Sequence, residues 1–558
     1  MPHSAAPFPS RLALALLLLA PGLLAASAPP EGEGSWVVRV RVASRAEVDR
    51  LAAEFEPWSV RYDLGEIVVD VDRDGWRRLV ELGFDPELDA GLSAEWRAPR
   101  VPLPGQTEAI PGFPCYRTVE ETFATAQALA TNYPTLATWF DIGDSWDKVR
   151  AGGAPGYDIM ALRLTNSAVP GPKPRLLLNA AIHAREYVTA ELVTRFAEQL
   201  LAAYGTDADT TWMLDHHEVH MVLQANPDGR KRAEAGSSWR KNTDSDFCGT
   251  ASAQGIDLNR NFSYLWGCCG GSSGNACSET YRGPSPASEP EVQAVRGHML
   301  AIFPDYGDPQ TGPIPSSAAG LFIDVHSSGQ LVMWPWGYTA TAAPNGAQLQ
   351  TLGRRFAYYN GHTPFQANNL YTTDGTTRDF GYGELGVPSY TFELGTAFFQ
   401  DCPSFENTIL PGNRNALFYA LRVTRAGYAL PAGPDALSPA TLPSGTVNIG
   451  QPLQVTATLD DTRFGGTGEP VQPISAAEVY VDTPPWSPGA APVAMQAQDG
   501  AFDETVEPAT VTLSTAGWSI GRHILFVRGR DSASNFGPVS AVFVDVTTPV
   551  ELQSFRVE

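Results

Sequence analysis

The sequence predicts an α/β protein: a mixed, mostly parallel central sheet with helices on both faces, preceded by a small α+β unit and followed by an all-β sandwich. Largely apolar runs at 176–178, 219–223, 321–325 and 390–392 alternate with helical stretches, of which 188–204 is the clearest. Strands without polar alternation are covered on both faces, as in sheets flanked by helices. Upstream, Val38, Val40 and Val42 alternate with Arg39 and Arg41 in strand period. Beyond about Leu430 only short strands separated by Pro, Gly and Asp turns remain, the spacing of an immunoglobulin- or fibronectin-like sandwich.

With 558 residues, 43% of them hydrophobic, the chain can build two to four domains with their own cores. A net charge of −23 disfavours a surface that holds nucleic acid or anionic lipid, since both would be repelled. In residues 1–28, Arg11 precedes an apolar run at 12–24 and the small residues Ala26, Ser27 and Ala28. That pattern is a secretory signal peptide. Its apolar core falls short of the roughly 20 residues a membrane helix needs, and nothing downstream reaches that length. An exported, secreted or periplasmic monomer without a membrane span is expected. The six cysteines, Cys115, Cys248, Cys268, Cys269, Cys277 and Cys402, form an even set suited to disulfides in such a compartment. Four of them crowd into 248–277, suggesting a stapled loop, and the pairing stays open.

Residues 29–96 read as a βαββα unit: the strand from Trp36, a capping box at Ser44 and Glu47 opening a helix to about Phe55, a strand at 67–71 and a helix at 76–82. A proline-rich linker follows at 97–112, with Arg97 and Arg100 exposed to proteases; it is either a plain connector or an activation-cleavage site. Residues 113–430 carry the α/β core, opened by a second capping box at Thr118 and Glu121. Residues 431–558 form the sandwich.

The chemistry sits at strand ends. Residues 176–178 lead into His183 and Glu186, three apart and on one side of a turn, just before the long helix. The strand 321–325 likewise delivers His326. Two imidazoles and one carboxylate match a catalytic zinc, which takes three protein ligands and keeps its fourth position open. The strand 390–392 ends in Glu393, an acid whose desolvation cost is explained by a role as general base beside the metal.

At this point the chain resembles the zinc carboxypeptidases of the funnelin type. The resemblance spans about residues 113–428 and rests on ordered motifs: His-Ala-Arg-Glu at 183–186, Asn-Pro-Asp-Gly at 226–229, Trp-Arg-Lys at 239–241, Asp-Leu-Asn-Arg-Asn at 257–261, Asp-Val-His-Ser at 324–327 and Thr-Phe-Glu-Leu at 391–394. It implies one zinc per chain on His183, Glu186 and His326, with Glu393 activating water. It further implies Arg240 as oxyanion stabiliser, Asn259 and Arg260 as the clamp on the substrate's terminal carboxylate, Tyr371 as a mobile residue closing over it, and Arg185 lining the subsite before the scissile bond. A planar guanidinium pairs bidentately with a carboxylate, which suits Arg260 to that clamp. Asp257 is our candidate for orienting His183 through its other ring nitrogen. The N-terminal unit resembles the family's pro-domain in size and pattern, implying a latent precursor.

The family's position at the floor of the specificity pocket is occupied by Arg378. A cation there predicts preference for C-terminal Glu or Asp, unless Asp374, Asp379 or Glu384 neutralises it. Ser328 stands where many members carry Tyr. The run His216, His217, Glu218, His220 leads into a strand whose period-two alternation splits the histidines, so it reads as structural. Met333, Trp334 and Trp336 read as core and cleft wall, and adjacent Cys268 and Cys269 as half-cystines. The expected function is an exported metallocarboxypeptidase acting on peptide or protein C-termini. The alternatives are a zinc amidohydrolase for cell-wall peptides or N-acyl amino acids, and a catalytically silent carboxylate-binding protein.

Overall fold

A computed structural model describes residues 28–31 and 34–549. The expected signal peptide, Ala28 apart, lies outside the described residues. The N-terminal unit is an antiparallel sheet of β1 (Trp36–Arg41), β2 (Pro57–Arg61), β3 (Glu66–Val71) and β4 (Pro86–Leu88) in the order β2-β3-β1-β4. Helices Arg45–Ala52 and Arg73–Glu81 cover it, and their Val48, Leu51, Trp76 and Leu79 pack on Val38, Val40, Ile67 and Val69. Both β4 and a third helix, Ala90–Trp96, exceed the βαββα expectation. The strand β4 buries only Pro86 and has no apolar run to betray it; it is defined by pairing with the edge of β1, Val38 opposite Leu88. Ser44 caps the first helix by accepting from the Glu47 amide at 3.3 Å, but the Glu47 carboxylate reaches past it to the amide of Ala43. The box at Thr118 and Glu121 closes reciprocally, at 3.2 and 2.8 Å.

The linker is laid on the surface and anchored. Arg100 stacks over the Phe399 ring at 3.4 Å and donates to the Gly236 carbonyl at 2.6 Å, while Ile110 is buried.

The central sheet holds β5 (Ala137–Asp144), β6 (Asp158–Leu164), β7 (Arg175–Ala180), β8 (Glu218–Val222), β9 (Leu321–Ser327), β10 (Leu331–Trp334), β11 (Thr363–Gln366) and β12 (Ser389–Leu394). Their order is β11-β10-β12-β9-β7-β8-β6-β5. The middle strands β12, β9, β7 and β8 run parallel, while β5–β6, β6–β8 and β10–β12 are antiparallel, so the sheet is mixed as expected. The apolar residues of these parallel strands are inaccessible and join one core with the long helix Tyr187–Ala203. The histidine run forms no metal-ligand group among the described residues: His217 Nδ1 lies 3.2 Å from the Met213 carbonyl, and His220 contacts His298 and Glu218.

All six cysteines are oxidised, pairing Cys115 with Cys402, Cys248 with Cys277, and Cys268 with Cys269. The second bridge encloses residues 257–260, which carry several of the expected site side chains.

The sandwich comprises β13 (Asp435–Leu442), β14 (Thr446–Asn448), β15 (Pro452–Asp460), β16 (Ile474–Val481), β17 (Val493–Ala494), β18 (Gln496–Ala497), β19 (Val506–Ser514), β20 (Gly521–Asp531) and β21 (Ser540–Thr547). Its sheets are ordered β13-β15-β19-β18 and β14-β21-β20-β16-β17. Strand alternation divides its apolar residues: Val479, Leu525 and Val527 face the sandwich interior, whereas Tyr480 and Phe526 join the core of the central sheet.

Beside the central sheet, Glu289 and Glu291 are nearly inaccessible at the start of helix Pro290–Ile302. Burial, reinforced by Asp244, raises the Glu289 carboxyl to about 7; burial and then the charge of Glu289 raise Glu291 to about 8. Folded values above the unfolded value of 4.5 mean that each carboxyl contributes stability that is complete below that value and is lost as pH climbs through 7 to 8. The loss amounts to about 1.4 kcal/mol per pH unit for each titrating group. Thermal unfolding of the chain should therefore occur at lower temperature at about pH 8.5 than at about pH 5.5, with a shallower fall in Glu291→Gln. Equal slopes in the two proteins would contradict the assignment.

Candidate metal centre and active site

His183 and Glu186 lie in the turn between β7 and the long helix, and Glu186 occupies the residue before that helix's first turn. His326 sits near the end of β9 and pairs in register with Glu393 on β12. The three expected ligands converge. His183 Nδ1 is 2.8 Å from Glu186 Oε1 and 3.1 Å from His326 Nδ1, and His326 Nδ1 is 3.1 Å from Glu186 Oε2. Tetrahedral zinc with bonds of 2.0–2.1 Å separates its ligand atoms by about 3.3 Å, so these spacings fit the ion. The rings are also aimed correctly. Each histidine turns Nδ1 inward and engages a carboxylate through Nε2, His183 with Asp257 at 3.1 Å and His326 with Asp324 at 2.9 Å. That arrangement fixes the tautomer that leaves a lone pair on Nδ1. Among the described residues, one other group of three has comparably close ligand atoms, Asp499, Asp503 and Glu507 in the sandwich, and two of its members are exposed.

Asp257 thus lies where an orienting carboxylate is needed. Asp324 is a second such residue that sequence reasoning left without a role, although strand period puts it on the same face as His326 two positions on. It is itself held by Asn179 Nδ2 at 2.8 Å and by the Thr377 hydroxyl.

Around the triad lies a cavity lined by Glu393, Arg240, Asn259, Arg260, Tyr371, Arg378, Met333, Thr373 and Thr391, among others. Arg240 donates to Asp257 at 2.8 Å and lies 3.2 Å from His183 Nδ1. Its guanidinium is fully buried, yet Asp257, Glu56 and Glu186 hold its pKa well above the usual arginine value. Asn259 Nδ2 lies 3.1 Å from His326 Nε2, and its carbonyl accepts from the Thr377 amide. Arg260 donates to the carbonyls of Gly271 and Asn259, which leaves Nη2 toward the cavity. Burial, with the charges of Glu186 and Glu56 adding to it, pushes the Glu393 carboxyl up to about 8 against the opposing pull of His326 and Arg240. Arg378 is buried; Nη1 donates to Thr391 Oγ1 at 3.1 Å and Nε to Asp379 at 3.3 Å. Of the expected neutralising acids, Asp379 is therefore the one in contact. Asp374 instead fastens the backbone at Cys269 and Gly271.

Two placements differ from expectation. Arg185 does not line the cavity; it is inaccessible beneath the N-terminal unit, 3.6 Å from Asp70 and 4.4 Å over the Phe398 ring. Glu56, which follows the first helix of that unit, enters the cavity, with Oε2 3.1 Å from Arg240 and 3.7 Å from Arg260. No local pattern marks Glu56, because its position depends on docking between segments nearly two hundred residues apart.

Metal analysis of the purified chain should find zinc at one equivalent, and His183→Ala or His326→Ala should abolish stoichiometric binding. Asp324→Asn should weaken zinc affinity about 10- to 100-fold, the usual cost of removing such a partner. Full zinc affinity in Asp324→Asn would show that the carboxylate does not orient the ring.

A family profile described as zinc carboxypeptidase, of the peptidase M14 group, matches residues 122–415. A zinc carboxypeptidase of Saccharothrix mutabilis subsp. capreolus is 32% identical over 342 residues, covering 57% of this chain and 70% of that protein. Carboxypeptidase A1 of Rattus norvegicus is 30% identical over 290 residues, 50% of this chain and 62% of that one. In fold, the crystal structure of carboxypeptidase A from Helicoverpa armigera superposes with a TM-score of 0.55 at 22% identity, covering 71% of this chain and 98% of that one. Thrombin activatable fibrinolysis inhibitor gives 0.54 at 20% identity, covering 71% and 99%. With its triad, its strand order and these relatives in agreement, the chain belongs to the M14 family and is a zinc metallocarboxypeptidase.

Proposed function

We propose that this enzyme removes single residues, preferentially Glu or Asp, from the C-termini of exported peptides or proteins, and that its N-terminal unit keeps it latent. The observation that carries the reading is the convergence of Arg240, Arg260 and Arg378 on the cavity that contains the triad. Zinc, bound by His183, Glu186 and His326, supplies a Lewis acid that polarises the scissile carbonyl and acidifies water. Arg260 with Asn259 pairs with the terminal carboxylate and so confines cleavage to chain ends. Arg240 stabilises charge developing on the carbonyl oxygen, a contribution typically of about 3 to 4 kcal/mol. Glu393 takes the proton from the attacking water and passes it to the leaving amine. Asp379, one of the expected neutralising acids, meets Arg378 at Nε, so the acidic preference rests on Nη1 and Nη2, which turn toward Thr391 and Thr373, where an acidic side chain can meet them. Gly337 supports this reading, because a Cβ there would lie 2.4 Å from Arg378 Nη2.

Latency is supported by Glu56, which offers Arg240 and Arg260 a carboxylate in place of the substrate's. The segment carrying Tyr371 is also clamped: Thr372 donates to Asp49 at 2.8 Å, Tyr62 to the Leu370 carbonyl at 2.6 Å, and Tyr371 packs among the apolar side chains of the unit. Release of the unit by cleavage in the 97–112 linker would free Tyr371 and uncover Arg185 for the preceding subsite. Export is supported by the signal-like leader and by the pairing of every cysteine.

Blocked dipeptides differing only in the terminal residue test the specificity. Terminal Glu should be cleaved at least about tenfold faster than Phe or Lys, a margin of about 1.4 kcal/mol. Faster cleavage of Phe or Lys, or an unaltered order in Arg378→Leu, would overturn the acidic preference. Glu393→Gln should lower kcat about 10²- to 10⁴-fold while zinc content stays unchanged. Limited proteolysis in the linker should raise activity, and Glu56→Gln should raise that of the uncleaved chain; an intact chain already as active as the cleaved one would refute latency.

A further inference from the structure

Where the sandwich docks on the catalytic region, Trp212, His217, Arg422, Arg425, Trp486 and Arg528 line a second cavity of about 130 Å³, remote from the triad in sequence and sharing no residue with its cavity. Its three arginines are not equivalent. Arg422 is paired with Asp209, and Arg528 with Glu478 at 2.9 Å. Arg425 has no acid. Its one hydrogen bond among the described residues runs from Nη2 to the His216 carbonyl at 3.2 Å, its Nε is buried without a partner, and its plane lies over the Trp486 ring at 4.4 Å. Burial alone lowers this guanidinium to about 10, with no anion offsetting it. Nε of Arg422 is likewise buried and unpartnered.

The cavity also offers one acceptor. His217 Nδ1 is engaged by the Met213 carbonyl, which places the proton there and leaves Nε2, buried and unpartnered, with a free lone pair. Burial and the charge of Arg425 hold this ring neutral. An uncompensated guanidinium and three orphaned polar atoms in one aromatic-walled cavity are costly unless something fills it.

We propose that this cavity is a binding site for a small carboxylate, held by Arg425 and the free Nε of Arg422, with the ligand's hydroxyl or amine donating to His217 Nε2. The ligand class is that of α-hydroxy and α-amino acids. Trp486 and Pro485 come from the sandwich and His217 and Arg425 from the catalytic region, so occupancy bridges the two.

The indole of Trp486 reports on the site. Sodium L-lactate, titrated into the full-length enzyme at low chloride, should quench tryptophan fluorescence saturably and bind more tightly than acetate, which lacks the hydroxyl. Arg425→Met should weaken lactate at least about tenfold, the loss of about 1.4 kcal/mol, with dipeptide hydrolysis after linker cleavage unchanged as evidence of folding. Trp486→Phe, which keeps the charge, should diminish the quench, leaving only the share of Trp212, while calorimetry still detects binding. No saturable binding to the wild-type enzyme, binding undiminished in Arg425→Met, or a quench of undiminished amplitude in Trp486→Phe would each overturn the proposal. Equal affinity for acetate and lactate would overturn the part assigned to His217.

Discussion

The contact between each inward-facing histidine and a carboxylate behind it is the constraint on which the site depends. His183 and His326 are almost wholly buried, and an imidazole in that setting must find partners for both nitrogens or leave one unsatisfied at a cost of about 1 to 3 kcal/mol. Asp257 and Asp324 take the Nε2 positions and thereby leave only Nδ1 for the cavity. Those acids then need support of their own. Asp257 receives Arg240 and the Asn259 amide, and Asp324 receives Asn179 from the neighbouring strand. The chain of dependence ends in the register of the sheet, where Asn179 of β7 pairs with Asp324 and His326 of β9 pairs with Glu393 of β12. A slip of one residue in any of these pairings would turn the polar groups to the opposite face.

What could be read from the sequence follows from which interactions are local. The strands around 177, 221, 323 and 391 were legible because burial on both faces demands continuous apolar side chains, and the ligands because polar residues end those runs. Asp324 was legible in principle, since period two places it beneath His326. The strand β4 was not, because an edge strand is defined by its partner and not by its own composition. The pairing of Cys115 with Cys402 and the burial of Arg185 were hidden for a related reason: both depend on how distant segments fold back. Glu56 is the extreme case. Its helix is predictable, but the two arginines it meets belong to another unit altogether.

The sandwich is joined to the enzyme by more than a tether. Arg355, inaccessible on helix Gly346–Asn360, donates to the carbonyls of Pro431 and Gly433 and lies 3.3 Å from Asp461. Asp209 reaches the other way, accepting from the Ala541 amide and the Ser540 hydroxyl while paired with Arg422. Between these polar locks, Tyr480 and Phe526 enter the core of the central sheet. Removing a buried charge from such a pair leaves its partner uncompensated, typically at about 3 to 5 kcal/mol. The sandwich therefore shares its stability with the catalytic region, unlike an appended module on a flexible linker.

Charge balance links the metal, the base and the N-terminal unit. Glu56, Glu186, Asp257, Asp324, Asp379 and Glu393 surround Arg240, Arg260 and Arg378, so six carboxylates face three guanidiniums in a largely buried space. The excess is negative, and Glu393 registers it: after burial itself, Glu186 and Glu56 are what push its carboxyl up to about 8. A divalent cation held by His183, Glu186 and His326 would offset two of the surplus charges, and the proposed release of the N-terminal unit would remove that of Glu56. On the proposed reading, both changes would lower the cost of ionising Glu393, so the two events that would complete the site would also ready its base.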